Sequence, residues 1–318
     1  MADSRCLKIT VGVLALQGAF NEHIQCLRSA SEILATKSQT TLESTPKSPK
    51  GDLFVEYKFI EVRNEAELNS CDALIIPGGE STAISLVAQR SGLLEPLRAY
   101  VKYHRYPTWG TCAGLILLAE SANRTKAGGQ ELIGGLDVRV NRNHFGRQVE
   151  SFTANLDLPF LSSLSPSSSE PNPDPTSTPL STPEEGKPAP FSAIFIRAPI
   201  VEKLLPHAPG AQISESTLES TVIAPSQPID SKSNPNPDTI LSAPVEILAT
   251  LPGRTTHSIP EIQESLNSEA GDIVAVRQAN VFGTSFHPEL TGDARIHAWW
   301  LEQVVEDVVK RRELQTSS

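Results

Sequence analysis

Cys112, His287 and Glu289 are the residues whose types and spacing point most directly to chemistry. Cys112 stands in Gly110-Thr-Cys-Ala-Gly114, directly before the apolar run Leu115–Leu118. Pro107–Trp109 reads as a short strand, the Gly-x-Cys-x-Gly as a tight turn and the apolar run as a buried helix, which is a cysteine form of the nucleophile elbow. Small residues at 110 and 114 allow a sharp turn and a close substrate, and a helix N-terminus favours the thiolate that attacks an acyl carbon. Far downstream, Gly283-Thr-Ser-Phe-His-Pro-Glu289 sets an imidazole and a carboxylate two residues apart. In an extended segment i and i+2 share a face, so Glu289 can orient His287 as a base for Cys112. The competing account of Cys112 is a buried core cysteine, since free cysteine is among the most buried residue types.

Acyl transfer also needs donors for the oxyanion and a grip on the substrate. Pro77-Gly-Gly-Glu-Ser81 is, alone, an ordinary turn with a serine at a helix start. Beside Cys112 its glycine N–H groups become oxyanion donors, with Gly79 expected first and the Ala113 N–H second. Arg142 and Arg147 flank Asn143-His-Phe-Gly146. A lone arginine is by default a solvated surface charge, but an amino-acid substrate needs a cation for its α-carboxylate, and guanidinium captures one bidentately. His144 has no carboxylate beside it and reads as a loop residue.

The elements that must position these groups alternate. Strands over Leu7–Leu16, Phe54–Ile60 and Ala73–Ile76 are separated by helices over Ala19–Ala35 and Glu65–Asn69, and helices over Ser81–Gly92 and Leu94–Tyr103 lead to the elbow. This predicts an α/β fold with a mostly parallel sheet and helices on both faces, whose ligands sit beyond the carboxyl ends of the strands. Both Pro77–Ser81 and Gly110–Gly114 fall at such ends. Leu136–Asn141 and Gln148–Asn155 are expected to form a hairpin, with further strands over Phe191–Ile196, Val245–Leu251, Ile273–Gln278 and Val281–Phe286. Asp293–Arg312 is a closing amphipathic helix, in which Trp299 and Trp300 are packing residues.

The 318 residues are 39% hydrophobic, enough for one large core. A single domain over 1–318 is expected, with disordered insertions at 36–51, 162–190, 207–243 and 255–271. Residues 166–190 hold eight prolines and eight serines or threonines, too little apolar surface to order themselves. A net charge of −10 without a Lys/Arg cluster argues against a nucleic-acid partner. Cys6, Cys26, Cys71 and Cys112 have no C-x-x-C spacing, so neither a zinc site nor a disulfide framework is expected, and a reducing compartment fits. Ile9–Leu16 imitates a signal-peptide core but is a good first strand, and no run reaches the ~18 apolar residues of a membrane span. The chain therefore reads as cytoplasmic, with no membrane partner.

Six separated motifs carry a resemblance. Leu14-Ala-Leu-Gln-Gly-Ala-Phe-Asn-Glu-His23, Ile76-Pro-Gly-Gly-Glu-Ser-Thr82, Gly110-Thr-Cys-Ala-Gly-Leu115, Arg142-Asn-His-Phe-Gly-Arg-Gln148, Phe195-Ile-Arg-Ala-Pro199 and Ser285-Phe-His-Pro-Glu-Leu-Thr291 together resemble the glutaminase subunits of pyridoxal 5′-phosphate synthases, a branch of the class I glutamine amidotransferases with a flavodoxin-like fold. The resemblance covers the ordered segments and not the Pro/Ser-rich insertions. It implies hydrolysis of L-glutamine to L-glutamate and ammonia without metal or organic cofactor, and a synthase partner that receives the ammonia in a hetero-oligomer. Cys112, His287 and Glu289 carry over as a triad, Gly78, Gly79 and Glu80 as the glutamine and oxyanion loop, and Arg142, Ile196 and Arg197 as glutamine contacts. The residues alone leave open another cysteine-elbow amidotransferase or hydrolase, and a silent binding subunit; an intact Cys112, His287 and Glu289 weighs against the last.

Overall fold

Apolar runs that can be buried on both sides set the centre of the sheet. The structure, a computed structural model, describes residues 6–44, 54–123, 130–142, 151–164, 189–208, 210–218, 221–226, 243–251 and 272–316. In the first half the elements are β1 (Cys6–Leu14), α1 (Phe20–Ser44), β2 (Phe54–Val62), α2 (Glu65–Asn69), β3 (Ala73–Ile76), α3 (Ser81–Arg90), α4 (Leu94–Arg98), β4 (Thr108–Thr111) and α5 (Ala113–Leu118). Then come β5 (Ala119–Asn123), β6 (Leu136–Asn141), β7 (Ser151–Leu156), β8 (Phe191–Ile196), β9 (Ile200–Leu204), α6 (Ile213–Ser216) and β10 (Thr221–Ile223). The chain closes with β11 (Glu246–Leu251), β12 (Asp272–Gln278), β13 (Val281–Thr284) and α7 (Arg295–Thr316).

Five strands run parallel in the order β2-β1-β3-β4-β13. Their side chains alternate between two cores. Leu7, Ile9, Val11 and Val13 of β1 face α1 and α7, while Leu14 with Leu74 and Ile76 of β3 faces α2 to α5. Helices thus cover both faces, as expected, and two-sided burial is why central β3 is a continuous apolar run, whereas the edge strand β2 alternates and stays partly exposed. The rest of the sheet is mixed: β12, β9, β6, β5 and β10 continue outward from β13, β11 pairs with β12, and every pairing there is antiparallel except β5 with β6.

The expected hairpin of β6 and β7 does not form. β6 is buried along most of its length, and both its edges are taken, by β5 and β9. β7 instead pairs with β8 from Ser151↔Ile196 to Leu156↔Phe191 as a separate two-stranded sheet. Its alternating exposure suits a one-sided strand, and Phe152 stacks on Phe195, 4.7 Å between centroids, against the α1/α7 core.

Parts of the expected insertions carry structure. Residues 36–44 continue α1, since no glycine or proline stops them, and Lys37 reaches Glu302 of α7 at 2.7 Å. Residues 162–164 finish a 3-10 turn, Pro159–Leu164, whose Leu161 and Leu164 are buried. Within 207–243 lie α6 and β10, with β10 paired to β5 and Glu215 buried. The remainder, 45–51, 165–188, 209, 219–220, 227–242 and 255–271, lies outside the described residues.

Candidate active site

The carboxyl ends of β1, β3, β4 and β13 meet at one place because these strands are neighbours and parallel. Cys112 follows β4 with φ 48° and ψ −99°, a left-handed conformation that a residue with a side chain adopts only when its surroundings enforce it. Two contacts do so: the Cys112 N–H donates to the Thr284 carbonyl of β13 at 2.7 Å, and the Ile116 N–H donates back to the Cys112 carbonyl at 3.2 Å. The flanking glycines serve close approach. A Cβ on Gly114 would lie 2.0 Å from the Ile76 carbonyl oxygen, and one on Gly110 2.5 Å from the Gly114 carbonyl carbon. Their use is therefore to let β4, α5 and β3 touch. The helix behind the thiol is six residues long and runs straight into β5, a strand the apolar run concealed.

β13 ends at Thr284, before the expected Phe286, and His287 and Glu289 meet by a different route from the one the sequence predicts. Pro288 opens a 3-10 turn, Pro288–Leu290, and the turn folds Glu289 Oε1 onto His287 Nδ1 at 2.8 Å. Cys112 is among the groups that act electrostatically on His287, and the Cys112 sulfur lies 3.9 Å from the Ile196 carbonyl oxygen. Burial opposes charge on His287, but its interactions with Cys112 and Glu289 win, carrying its pKa up to about 10. Burial likewise opposes charge on Glu289, yet His23 and His287 beside it hold its carboxyl below the ordinary value.

Gly78 lies against the His287 ring: a Cβ there would come within 2.3 Å of Cε1. The loop is held from the β1 end. Ala19 N–H donates to the Gly78 carbonyl at 3.2 Å, and Glu80 N–H donates to Gln17 Oε1 at 2.7 Å. In a trans peptide the N–H opposes the C=O, so the Gly79 N–H points away from Ala19. Glu80 engages Gln17 through its backbone, and its side chain is exposed at the start of α3. Ala113 is buried at the first position of α5.

Arg142 is buried, and its Nη1 donates to Gln130 Oε1, which also accepts from Ser81 Oγ at 3.2 Å and Thr82 Oγ1 at 3.1 Å. Gln130 thus ties the end of β6 to the residues after Glu80. Arg142 Nε and Nη2 have no hydrogen-bond partner among the described residues, and burial lowers the guanidinium pKa to about 10. Two buried donors without a partner among the described residues are suited to a carboxylate. Arg197 has φ 43° and is exposed, directly after Ile196, whose carbonyl faces Cys112. Arg147 and His144 lie outside the described residues.

Four participants were not singled out by sequence: Gln17, Gln130, His23 and His297. His23 and His297 are fully buried with their rings 3.0 Å apart, Nδ1 to Nε2, and burial pushes each down to about 3. A histidine on an apolar helix face reads as core. The signal that was present is the position of Gln17 and His23 inside the Leu14–His23 motif.

A model of the SNO glutamine amidotransferase family matches residues 13–169 and 246–306, well over half of the sequence. The chain belongs to this family. Among curated relatives, an Arabidopsis thaliana protein named as a probable pyridoxal 5′-phosphate synthase subunit PDX2 is 35% identical over 94% of this chain and 87% of its own. A Thermococcus onnurineus pyridoxal 5′-phosphate synthase subunit PdxT is 31% identical over 93% of this chain and all of its own length. A solved structure described as a glutamine amidotransferase is 29% identical, with a TM-score of 0.53 over 92% of this chain and 98% of its own. Family membership bears out the resemblance and the α/β class. The SNO match covers Gly78–Glu80, Cys112, Arg142, His287 and Glu289; β8, with Ile196 and Arg197, falls between its two stretches.

Proposed function

We propose that this SNO-family chain is the glutaminase subunit of a pyridoxal 5′-phosphate synthase, hydrolysing L-glutamine to L-glutamate and ammonia as one cytoplasmic domain over 1–318. The observation that carries the reading is Cys112, strained at a strand end, with His287 held by Glu289 at 2.8 Å and its pKa raised by Cys112 and Glu289. The relatives' names supply the synthase context.

In this mechanism Arg142 takes the glutamine α-carboxylate, assisted by Ile196 and Arg197, and Gly78–Glu80 lines the opposite side. His287 holds the proton removed from Cys112, and the sulfur attacks the side-chain amide carbon. The oxyanion accepts from the N–H groups of Gly79 and Ala113. On collapse the C–N bond breaks, His287 passes its proton to the departing nitrogen, and ammonia leaves with a thioester behind. Water, deprotonated by His287, then attacks the thioester; glutamate leaves and Cys112 regains its proton. Glu289 stabilises the imidazolium formed in each half.

Ammonia released to water is protonated and lost, so a second active site must receive it directly. The Gln17–Asn21 segment holds the Gly78–Glu80 loop, and Asn21 is exposed beside it, which makes this segment the proposed docking surface for the synthase subunit. The test is glutamate production from glutamine by the purified chain with and without that subunit. Low activity alone and a several-fold rise with the partner are expected, with the rise lost when Ala19 or Asn21 is replaced by a bulky charged residue. No glutamate under either condition would refute the glutaminase reading.

A further inference from the structure

Glu289 has two oxygens, and His287 uses only Oε1. Oε2 is buried with no hydrogen bond of good geometry among the described residues. Beside it lies Nε2 of His23, at 3.3 Å, with both side chains fully buried. The same nitrogen is 3.2 Å from Thr111 Oγ1, on the residue before Cys112. On the far side of the ring, His23 Nδ1 is 3.0 Å from His297 Nε2, and His297 Nδ1 has no partner among the described residues.

One arrangement of protons satisfies this cluster better than the other. With both rings neutral and protonated on Nε2, His297 donates to His23 Nδ1, His23 directs its own N–H at Oε2 and Thr111, and the unpartnered Nδ1 of His297 is a bare lone pair. With both protonated on Nδ1, the lone pair of His23 would face a carboxylate and a buried N–H of His297 would be orphaned, and an unmet buried donor is the costlier defect. Burial keeps both rings neutral near pH 7.

We propose that His23, set in its tautomer by His297, is a positioning residue for the reaction: it holds Oε2 of Glu289 so that Oε1 stays on His287 Nδ1. This rests on Cys112, His287 and Glu289 acting as one unit. His23 acts through Glu289 and touches no reacting atom. It stands on the first turn of α1, its N–H donating to the Ala19 carbonyl at 3.3 Å. One turn therefore supports both the Gly78 loop and the carboxylate.

The experiment reads Cys112 alone, as its rate of alkylation by iodoacetamide at pH 7 in the full-length chain, assigned by mass spectrometry. His23→Leu is expected to slow alkylation roughly tenfold in the wild-type background and by less than about twofold when Glu289→Gln is already present, because a residue that acts through Glu289 then has nothing to position. His23→Gln, whose amide nitrogen reaches towards the place of Nε2, is expected to recover the rate to within about threefold of wild type. Nitrogen-15 NMR of the wild type should give the Nε2–H tautomer for His23. Equal slowing in both backgrounds, unchanged alkylation in a folded His23→Leu protein, or an Nδ1–H tautomer would overturn the proposal. Should His23→Leu not fold, the tautomer and the His23→Gln rate decide. Alkylation needs no glutamine, so a chain that alkylates as expected yet makes no glutamate would sink the glutaminase reading and leave this one standing.

Discussion

The two halves of the sheet were built under different demands. The parallel half, β2-β1-β3-β4-β13, is covered by helices on both faces, with only the edge strand β2 largely unburied, and sends the carboxyl ends of β1, β3, β4 and β13 to one site. The antiparallel half, from β12 out to β10, is assembled from short strands on either side of the segments that interrupt the chain, and it supplies Arg142 at the end of β6. Polar staples add to its apolar packing: Glu215 of α6 takes Ser121 Oγ of β5 at 2.9 Å and Arg139 Nη1 of β6 at 2.8 Å, with Lys203 of β9 at 3.8 Å. Parallel pairing concentrates chemistry at strand ends, whereas the antiparallel extension adds a wall and tolerates insertion.

The sharpest test removes the sulfur. Cys112→Ala should lower glutamine hydrolysis by roughly 10³-fold or more while the melting temperature holds, because nucleophile and base act as one unit. Glu289→Gln should fall between that variant and wild type. Retained turnover in Cys112→Ala would mean that the parallel half is not the catalytic one.

A second test places acid sensitivity in the same half. His23 and His297 have folded pKa values of about 3, below the ordinary 6.5, so the unfolded chain binds protons that the folded chain refuses. Stability is therefore complete above about pH 6.5 and lost as pH falls towards 3, on the order of 2 kcal/mol per histidine between pH 7 and 5. His287, raised to about 10, acts in the opposite sense: its stabilising contribution is full below about 6.5 and fades as pH rises through 10, so between pH 7 and 5 it offsets a smaller part of the loss. Denaturant titrations at pH 7 and 5 read the loss, and His297→Gln should flatten it. An unchanged midpoint between those pH values would contradict neutral burial of the pair.

What the sequence made legible follows the same division. β1 and β3 are mainly apolar and closed by glycine turns, and β4 is bounded by Pro107 and the Gly-x-Cys-x-Gly turn, so their ends, and with them Gly78, Gly79 and Cys112, were readable from periodicity and punctuation. His287 and Glu289 were paired correctly by residue type, but by the wrong geometry, because Pro288 starts a turn where an extended segment was expected. β5 and β9 were missed. The former is fused to the elbow helix without a breaker, and the latter is five residues long beside a polar tract. Gln130 and His23 make their contributions through contacts 48 and 266 positions away, to Thr82 and Glu289, which no local pattern encodes.

A smaller effect is expected from the staple. Glu215→Ala removes a buried acceptor shared by Ser121 and Arg139 and should cost about 2 kcal/mol, read as a fall in melting temperature. Arg139 keeps Glu202 at 3.0 Å, which limits the loss. Because Glu215 belongs to the antiparallel half, Cys112 alkylation should be unchanged; a parallel fall in alkylation would mean that the two halves are coupled more tightly than their packing implies.

The smallest effect should come from residues 165–188, which join Leu164 to Ala189. Both flanks are engaged: Leu164 is buried, and the carbonyls of Ala189 and Pro190 accept from Arg295 at 2.9 and 3.3 Å. Between them proline, serine and threonine dominate, with Leu180 the one large apolar residue. Replacing these residues with a twelve-residue Gly/Ser bridge halves the loop, and loop-closure entropy changes by only about 0.6 kcal/mol per halving, in the stabilising direction. A melting temperature within a few degrees of wild type and unaltered glutamate production are the expected results. A large drop would show that this tract packs on the domain and that the β7–β8 sheet, which leans on the core of the parallel half, does not tolerate the interruption its flanks imply.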